Sequence, residues 1–269
     1  MLESILLTGA AGKLGRRMRA PLAAICNRLI ATDIIPIDPV AANESFVLCD
    51  LTDTAAVATL MKNVDGVVHF GGYPREAPWE TIIPANILTT TNLWEAALSA
   101  GARRIVYAST NHVIGFHPVT RCIGTTAEIK CDSRYGVSKA FAEILARFYY
   151  EKFDLPSLGI RIGRCDDRPF DERMMSTWIH PEDLAQLITL GLTRPVRADV
   201  VYGISANSRA WCENPRDFPY KPAHHADDYP QVDGTAGSWR YQGGPFADHE
   251  YVGDPERAAT YYRDGSAGP

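Results

Sequence analysis

No apolar run in this 269-residue sequence approaches the roughly 20 residues that span a bilayer, so no membrane partner is expected. The six cysteines, Cys26, Cys49, Cys122, Cys131, Cys165 and Cys212, include no CxxC pair, and no metal is expected. A chain able to build this much core does not depend on a disulfide framework. The thiols are read as reduced, in a cytoplasmic protein. A basic excess is lacking too: 27 Lys and Arg stand against 32 Asp and Glu, a net charge of −5. Nucleic-acid binding needs basic patches that displace counterions, so no nucleic-acid partner is expected. A local basic pocket for an anionic small substrate remains compatible with that balance. Met1-Leu2-Glu3-Ser4 opens straight into an apolar segment without a basic n-region or cleavage site, and no signal peptide is expected. There is no internal repeat and no long low-complexity run.

What is present is ordinary for a globular protein: 46% hydrophobic and 22% charged residues. The length suits one α/β domain with a decorated end. Strands are expected at Ile5-Leu6-Leu7, at 28–31 ending at Asp33, at 45–48, 66–70, 104–108 and 158–162, and at Val200-Val201-Tyr202. Helices are expected over 12–25, from Thr52 or Thr54 onward, over 83–99 and over 135–152. That alternation implies a doubly wound α/β fold, a parallel sheet covered on both faces. Residues 1–200 are expected to bind a dinucleotide and carry the chemistry. Residues 201–269, rich in Gly, Pro, Asp and aromatics, are expected to be loops, short helices and a frayed tail. They would cover the substrate site, make contacts in a homo-oligomer, or both.

Gly9-Ala10-Ala11-Gly12-Lys13-Leu14-Gly15 lies between the first strand and the first helix. Glycine lets the backbone turn sharply and approach a pyrophosphate, and the amides at the helix N-terminus then face the phosphate charge. Three glycines alone can mark a plain turn. Here the motif follows a strand, and an acid, Asp33, follows the second strand. A carboxylate there accepts hydrogen bonds from both ribose hydroxyls of an adenosine and repels a 2′-phosphate, which predicts NAD over NADP. The alternative for Asp33 is a cap on the turn before Pro36. Asp50-Leu51 is expected to frame the adenine ring, and Gly71-Gly72 to let the backbone pass close to the cofactor. Together these features describe a Rossmann fold.

Tyr135-Gly136-Val137-Ser138-Lys139 is a YxxxK motif, whose spacing of four places both side chains on one helix face. The ammonium is expected to lower the tyrosine pKa, making the phenolate a usable base. The lysine can also hold a nicotinamide ribose. A surface Tyr/Lys pair is the ordinary alternative, but no other tyrosine here has a lysine at that spacing. The fifth strand ends in Ala108-Ser109-Thr110-Asn111-His112, and a hydroxyl at that edge, from Thr110 or Ser109, can bond the reacting oxygen.

The chain resembles extended short-chain dehydrogenases, and within them the uronate dehydrogenase group. Nearly the whole length takes part, including Leu7-Thr8-Gly9-Ala10-Ala11-Gly12, Val68-His69-Phe70-Gly71-Gly72, the 108–112 segment, the YxxxK segment, Arg173-Met174-Met175-Ser176-Thr177-Trp178 and Gln242-Gly243-Gly244. The resemblance implies NAD-dependent oxidation of C1 of a cyclic hexuronic acid to a lactone. It selects Thr110, five residues before Gly115, as the hydroxyl. It implies that Asn86 holds a water or bends its helix, that Asn111 and His112 contact sugar hydroxyls, and that Arg173 binds the anionic end of the sugar. The plainer role for Arg173 is a salt bridge near Asp171 and Glu172.

Two departures stand out. Pro74, within Tyr73-Pro74-Arg75, stands where the family tends to have a substrate-touching serine, and Arg164 follows Ile162-Gly163 where the family has serine. Arg164, and possible partner Arg75, could join Arg173 around a strong anion; otherwise Arg164 braces its loop by pairing with Asp166 or Asp167. A 6-sulfo sugar such as sulfoquinovose is therefore the close alternative substrate, since three arginines suit three sulfonate oxygens. A sugar-nucleotide epimerase or dehydratase and a non-catalytic NAD sensor are the more distant alternatives. His224-His225 with Asp227-Asp228 has no ligand spacing and reads as a solvated loop.

Overall fold

Ile5, Leu6 and Leu7 are consecutive and all fully buried. A strand buries successive side chains only where both faces of its sheet are covered. The computed structural model, which describes residues 2–229 and 239–248, shows that arrangement. In chain order the elements are β1 (Leu2–Thr8), α1 (Lys13–Ala23), β2 (Cys26–Asp33), β3 (Glu44–Leu48), α2 (Thr54–Leu60), β4 (Gly66–His69), α3 (Trp79–Ile82), a π-helical stretch (Ile83–Leu88) and α4 (Thr89–Ala100). There follow β5 (Arg104–Thr110), a 3-10 turn (Asn111–Ile114), α5 (Arg134–Phe153), β6 (Ser157–Ile162), β7 (Arg164–Cys165), α6 (Met174–Thr177), β8 (Trp178–Ile179), α7 (Pro181–Thr193) and β9 (Ala198–Gly203). A second 3-10 turn (Ala226–Asp228) and α8 (Pro245–Asp248) complete the described chain.

Seven strands form one parallel sheet in the order β3-β2-β1-β4-β5-β6-β9. On one face Ile5 and Leu7 pack with Met18 and Leu22 of α1 and Leu184 and Ile188 of α7. On the other, Leu6 packs with Leu60 of α2, Trp94 of α4 and Ala146 of α5. The fold is the doubly wound α/β fold expected from the alternation. The chain leaves β1 to one side and returns to β4 on the other. That reversal opens a crevice at the carboxyl ends of β1 and β4, the place where such sheets bind ligands.

The expected elements are present, with two differences besides the short added elements α3, β7, α6 and β8. The helix expected over 83–99 starts as a π-helical stretch, because Pro84 has no N–H to donate. The hydroxyls of Thr89, Thr90 and Thr91 donate to the carbonyls of Ala85, Asn86 and Ile87, within that stretch. α7 is an additional helix. Its sequence signals are plain: His180 caps it, Pro181 opens it, Glu182 and Asp183 sit in the first turn, and Leu184, Leu187, Ile188 and Leu192 form its buried stripe. The strand expected at Val200-Val201-Tyr202 is β9, which runs beside β6 to Gly203. Part of the expected frayed tail lies outside the described residues.

Candidate active site

The glycine loop sits at the crevice. Gly9 has φ +69°, and a Cβ on it would lie 2.7 Å from the Gly71 nitrogen. A Cβ on Gly15 would lie 2.1 Å from the Gly9 carbonyl oxygen, so α1 can start this close to the loop only with glycine there. Gly12 N-caps α1 in extended conformation, and no side chain caps that end. The cradle therefore fits a dinucleotide pyrophosphate, with the uncapped amides of Lys13, Leu14 and Gly15 turned to it.

Asp33 closes the second strand as expected. One carboxylate oxygen accepts from the Ala11 amide at 2.9 Å and the other from the Ile35 amide at 3.1 Å. It thus both caps the turn before Pro36 and ties the glycine loop to β2, while each oxygen keeps a lone pair for a further donor. Leu51 is buried, and its Cδ1 would lie 3.0 Å from a Cβ on Gly71. Asp50 is exposed and accepts from the Thr52 amide and hydroxyl. The Lys13 ammonium pairs with Asp166 at 2.5 Å.

α5 positions the YxxxK pair. Ser133 accepts from the Gly136 amide and Glu76 from the Tyr135 amide, so two side chains satisfy the first turn. Tyr135 and Lys139 are both buried, with the ammonium 5.9 Å from the ring centroid. Tyr135 is hydrogen-bonded to Thr110. The expected lowering of the tyrosine pKa is not what the protein alone displays. Burial pushes the phenol up to about 12, the Thr110 bond works against this, and the charge of Asp132 adds to it. Burial likewise pushes Lys139 down to about 8. Desolvation is the largest cause of both shifts because both groups sit in the interior.

The structure separates Thr110 from Ser109. Alternation along β5 turns Ser109 the other way, where its hydroxyl donates to Glu143 at 2.5 Å, and Glu143 in turn holds Arg161 through two bonds of 2.9 and 2.8 Å. Thr110 caps the 3-10 turn by accepting from the His112 amide. Asn86 lies in the π-helical stretch. Its carbonyl accepts from the Tyr73 amide at 2.7 Å, and its amide donates to Ser138 at 2.9 Å and to the Tyr73 carbonyl at 3.1 Å. It clamps the 71–73 loop to α5. Behind it, His69 bridges Thr8 at 2.7 Å and Thr90 at 3.4 Å; burial, with Lys139 nearby, drives its pKa down to about 3, so the ring is neutral.

The 239–248 segment covers the other side. The Asn111 amide and the Arg173 guanidinium both donate to the Gln242 carbonyl, at 3.4 and 2.9 Å. Gln242 is anchored by its side chain to the carbonyls of Pro118, Arg121 and Trp211. Arg173 lies against Gly244 and its Nε is buried with no partner. Burial lowers its pKa, Asp132 and Asp171 oppose this, and the positive charge of Arg164 adds to it, so the two guanidiniums are within electrostatic reach. Arg164 also makes the bracing pair, a long 3.4 Å contact with Asp166, and lies over the Phe170 ring at 5.1 Å. Asp166 receives Lys13 and Arg17 as well. Arg75 is exposed on the 71–78 loop, and no contact among the described residues brings it to Arg173.

Asp132 was not apparent in the sequence. It bears on Tyr135 and Arg173 and bonds His112, and its only linear signal is its place just before the YxxxK helix. His224 does meet possible ligands: with His180 and Glu182 it places three ligand atoms within 4.8 Å of one another. The His180 and His224 rings stack at 3.5 Å and 24°, however, which sets their in-plane lone pairs side by side rather than converging on one ion. Asp227 is bonded to Ser208 instead.

Residues 5–179 match the NAD dependent epimerase/dehydratase family. Over 256 residues the chain is 40% identical to a uronate dehydrogenase of Pseudomonas putida, covering 90% of this chain and 95% of that protein. Over 259 residues it is 40% identical to a uronate dehydrogenase of Agrobacterium fabrum, covering 92% and 98%. A solved structure of a mutant uronate dehydrogenase from Agrobacterium tumefaciens complexed with NAD superposes with a TM-score of 0.86 at 39% identity, over 92% of this chain and 98% of that one.

Proposed function

The chain belongs to the NAD dependent epimerase/dehydratase family, and from that premise we propose that it is an NAD-dependent dehydrogenase oxidising C1 of a free hexuronate to its lactone. The observation that carries the substrate reading is Arg173. Its Nε is buried without a partner, Asp132 bears on both Arg173 and Tyr135, and an unsatisfied cationic donor so placed suits a carboxylate.

NAD, when bound, supplies the hydride acceptor and a positively charged ring. Gly9, Gly12, Lys13, Leu14 and Gly15 would hold its phosphates, Gly71 would let the backbone pass close to it, Asp33 would take the adenosine ribose hydroxyls, and Asp50-Leu51 would border the adenine. Thr110 holds the C1 hydroxyl oxygen. Tyr135 takes the hydroxyl proton on its phenolate oxygen as the C1–H bond breaks. Lys139 stabilises that phenolate, and burial keeps it poised near neutral pH, where a lysine at about 8 exchanges its proton readily. Asn86 keeps the 71–73 loop against α5. Asn111 and His112 contact sugar hydroxyls, and Arg173 takes the carboxylate.

A second reading, a 6-sulfo sugar, is favoured by one observation: Arg164 is close enough to Arg173 to influence it electrostatically. Arg75 takes part only if its loop closes. The test is NADH absorbance at 340 nm with NAD and a panel of glucuronate, galacturonate, sulfoquinovose and glucose. Turnover on the uronates with little on glucose supports the reading; turnover on sulfoquinovose alone moves the function to sulfo-sugar oxidation.

The protein is further read as cytoplasmic and homo-oligomeric. All six cysteines are free, and no helix among the described residues is long and apolar enough to cross a membrane. Val137, Ile144 and Phe148 are exposed along α5, beside exposed Ile83 and Leu88 of the adjoining π-helical stretch, a pattern suited to contact with a second copy.

A further inference from the structure

Asp132 occupies a niche built by segments far apart in sequence. Its side chain is fully buried. A Cβ on Gly115 would fall 1.8 Å from its Oδ2, and one on Gly243 would fall 1.9 Å away, so both segments forgo a side chain around one carboxylate. Oδ1 accepts from the Ser133 hydroxyl at 2.8 Å, and Oδ2 lies 2.8 Å from His112 Nδ1. The His112 ring is itself held on two sides. It stacks on Phe246 with centroids 4.3 Å apart, and it meets Tyr135 edge-on at 6.0 Å.

We propose that Asp132 is a positioning residue for the dehydrogenation, holding His112 in the tautomer whose Nε2 accepts a hydrogen bond from a substrate hydroxyl. This rests on the hexuronate reading above. A carboxylate only accepts, so His112 Nδ1 carries the proton of the bond to Asp132. A neutral imidazole then has its lone pair on Nε2, which bonds no protein group among the described residues. Its complement is a donor, and a sugar hydroxyl is one. The tautomer is thus a selectivity device: a hydroxyl in reach is bound as donor, and a sugar lacking it leaves Nε2 unpaired. The same carboxylate faces Cys131, Tyr135 and Arg173. Its negative charge favours the guanidinium of Arg173 and disfavours the phenolate of Tyr135, which is also faced by Thr110, Lys139 and His112. Removing that charge while keeping the shape should therefore ease ionisation of Tyr135 even as it loosens substrate binding.

The test combines nitrogen-15 NMR of the histidines with kinetics of Asp132→Asn. The His112 signals are assigned by their loss in His112→Gln, and the spectrum is read without substrate. The expected result is an Nδ1–H tautomer in the native protein, lost or mixed in Asp132→Asn. With it should come a roughly 5–150-fold fall in kcat/KM on the hexuronate, mostly in KM, and an acid limb of the pH profile moved to lower pH. NAD binding by the variant should be unchanged. A native His112 protonated at Nε2 overturns the proposal without any variant. So does an Asp132→Asn enzyme within twofold of native kcat/KM, or one that loses rate evenly at every pH, as a structural defect would. Absence of turnover on every hexuronate, with the tautomer as expected, would instead strike the function reading, because the tautomer is measured apart from activity.

Discussion

Tyr135 and Lys139 are shifted by burial in opposite directions, one toward the neutral phenol and one toward the neutral amine. Under the proposed mechanism the phenol would act as a base only once substrate and oxidised cofactor complete its surroundings. Tyr135→Phe should keep the fold and NAD affinity and lose about 10²–10⁴-fold in turnover. Steady-state rates alongside NAD titration check this, and retention of more than half the native rate would contradict the assignment. The arginines are separable in the same way. A charge-assisted hydrogen bond contributes about 1.5–3 kcal/mol, so Arg173→Ala should lose roughly 10–150-fold in kcat/KM on glucuronate and little on glucose. Arg164→Ala should lose most on sulfoquinovose, if that sugar is turned over. Equal proportional losses on all three sugars would make the arginines braces rather than ligands. The residues carrying local spacing, Tyr135 with Lys139 and the glycines of 9–15, were legible in the sequence because one turn of helix or one loop defines them. Asp132 was not, because its niche is assembled from Gly115 and Gly243, over a hundred residues apart.

At the scale of elements, the strands could be read from their apolar runs, and α5 from its motif. α7 carried ordinary cap and stripe signals, from His180 to Leu192, yet lay outside the expected elements, hidden between the sixth strand and a loop-rich third. The π-helical stretch follows from Pro84 but depends on three threonine hydroxyls and on Asn86 reaching the 71–73 loop, contacts invisible in one dimension. β1, β4 and α4 are joined by the buried Thr8–His69–Thr90 chain. His69 stays neutral in the fold down to about pH 3, whereas in the unfolded chain it takes a proton near 6.5. The unfolded state thus binds more protons between those values. The stability due to neutral His69 is complete above about pH 6.5 and is lost as pH falls, by about 2 kcal/mol at pH 5. Urea unfolding at pH 7 and pH 5 should show this, and His69→Gln should flatten the dependence. An unchanged slope in the variant would place the acid sensitivity elsewhere.

For the whole molecule, the sheet's reversal between β1 and β4 brings the glycine loop, the end of β5 and the start of α5 to one edge, and the 239–248 segment closes over them. Ile144 and Phe148 lie farther along α5 than Tyr135 and Lys139, so association and catalysis can be tested apart. Light scattering should give a mass at least twice that of the chain, and Ile144→Glu with Phe148→Glu should give monomers that still bind NAD; a native monomer at micromolar concentration would contradict the assembly. The central claim is hydride transfer from C1 of a hexuronate. Its most direct measurement is the fate of deuterium from glucuronate labelled at C1, followed by proton NMR and mass spectrometry of the reduced cofactor. The account predicts one deuterium at the nicotinamide C4 for each sugar oxidised, with the lactone as first product. Reduced cofactor without deuterium, or sugar consumed with its label still at C1, would contradict it.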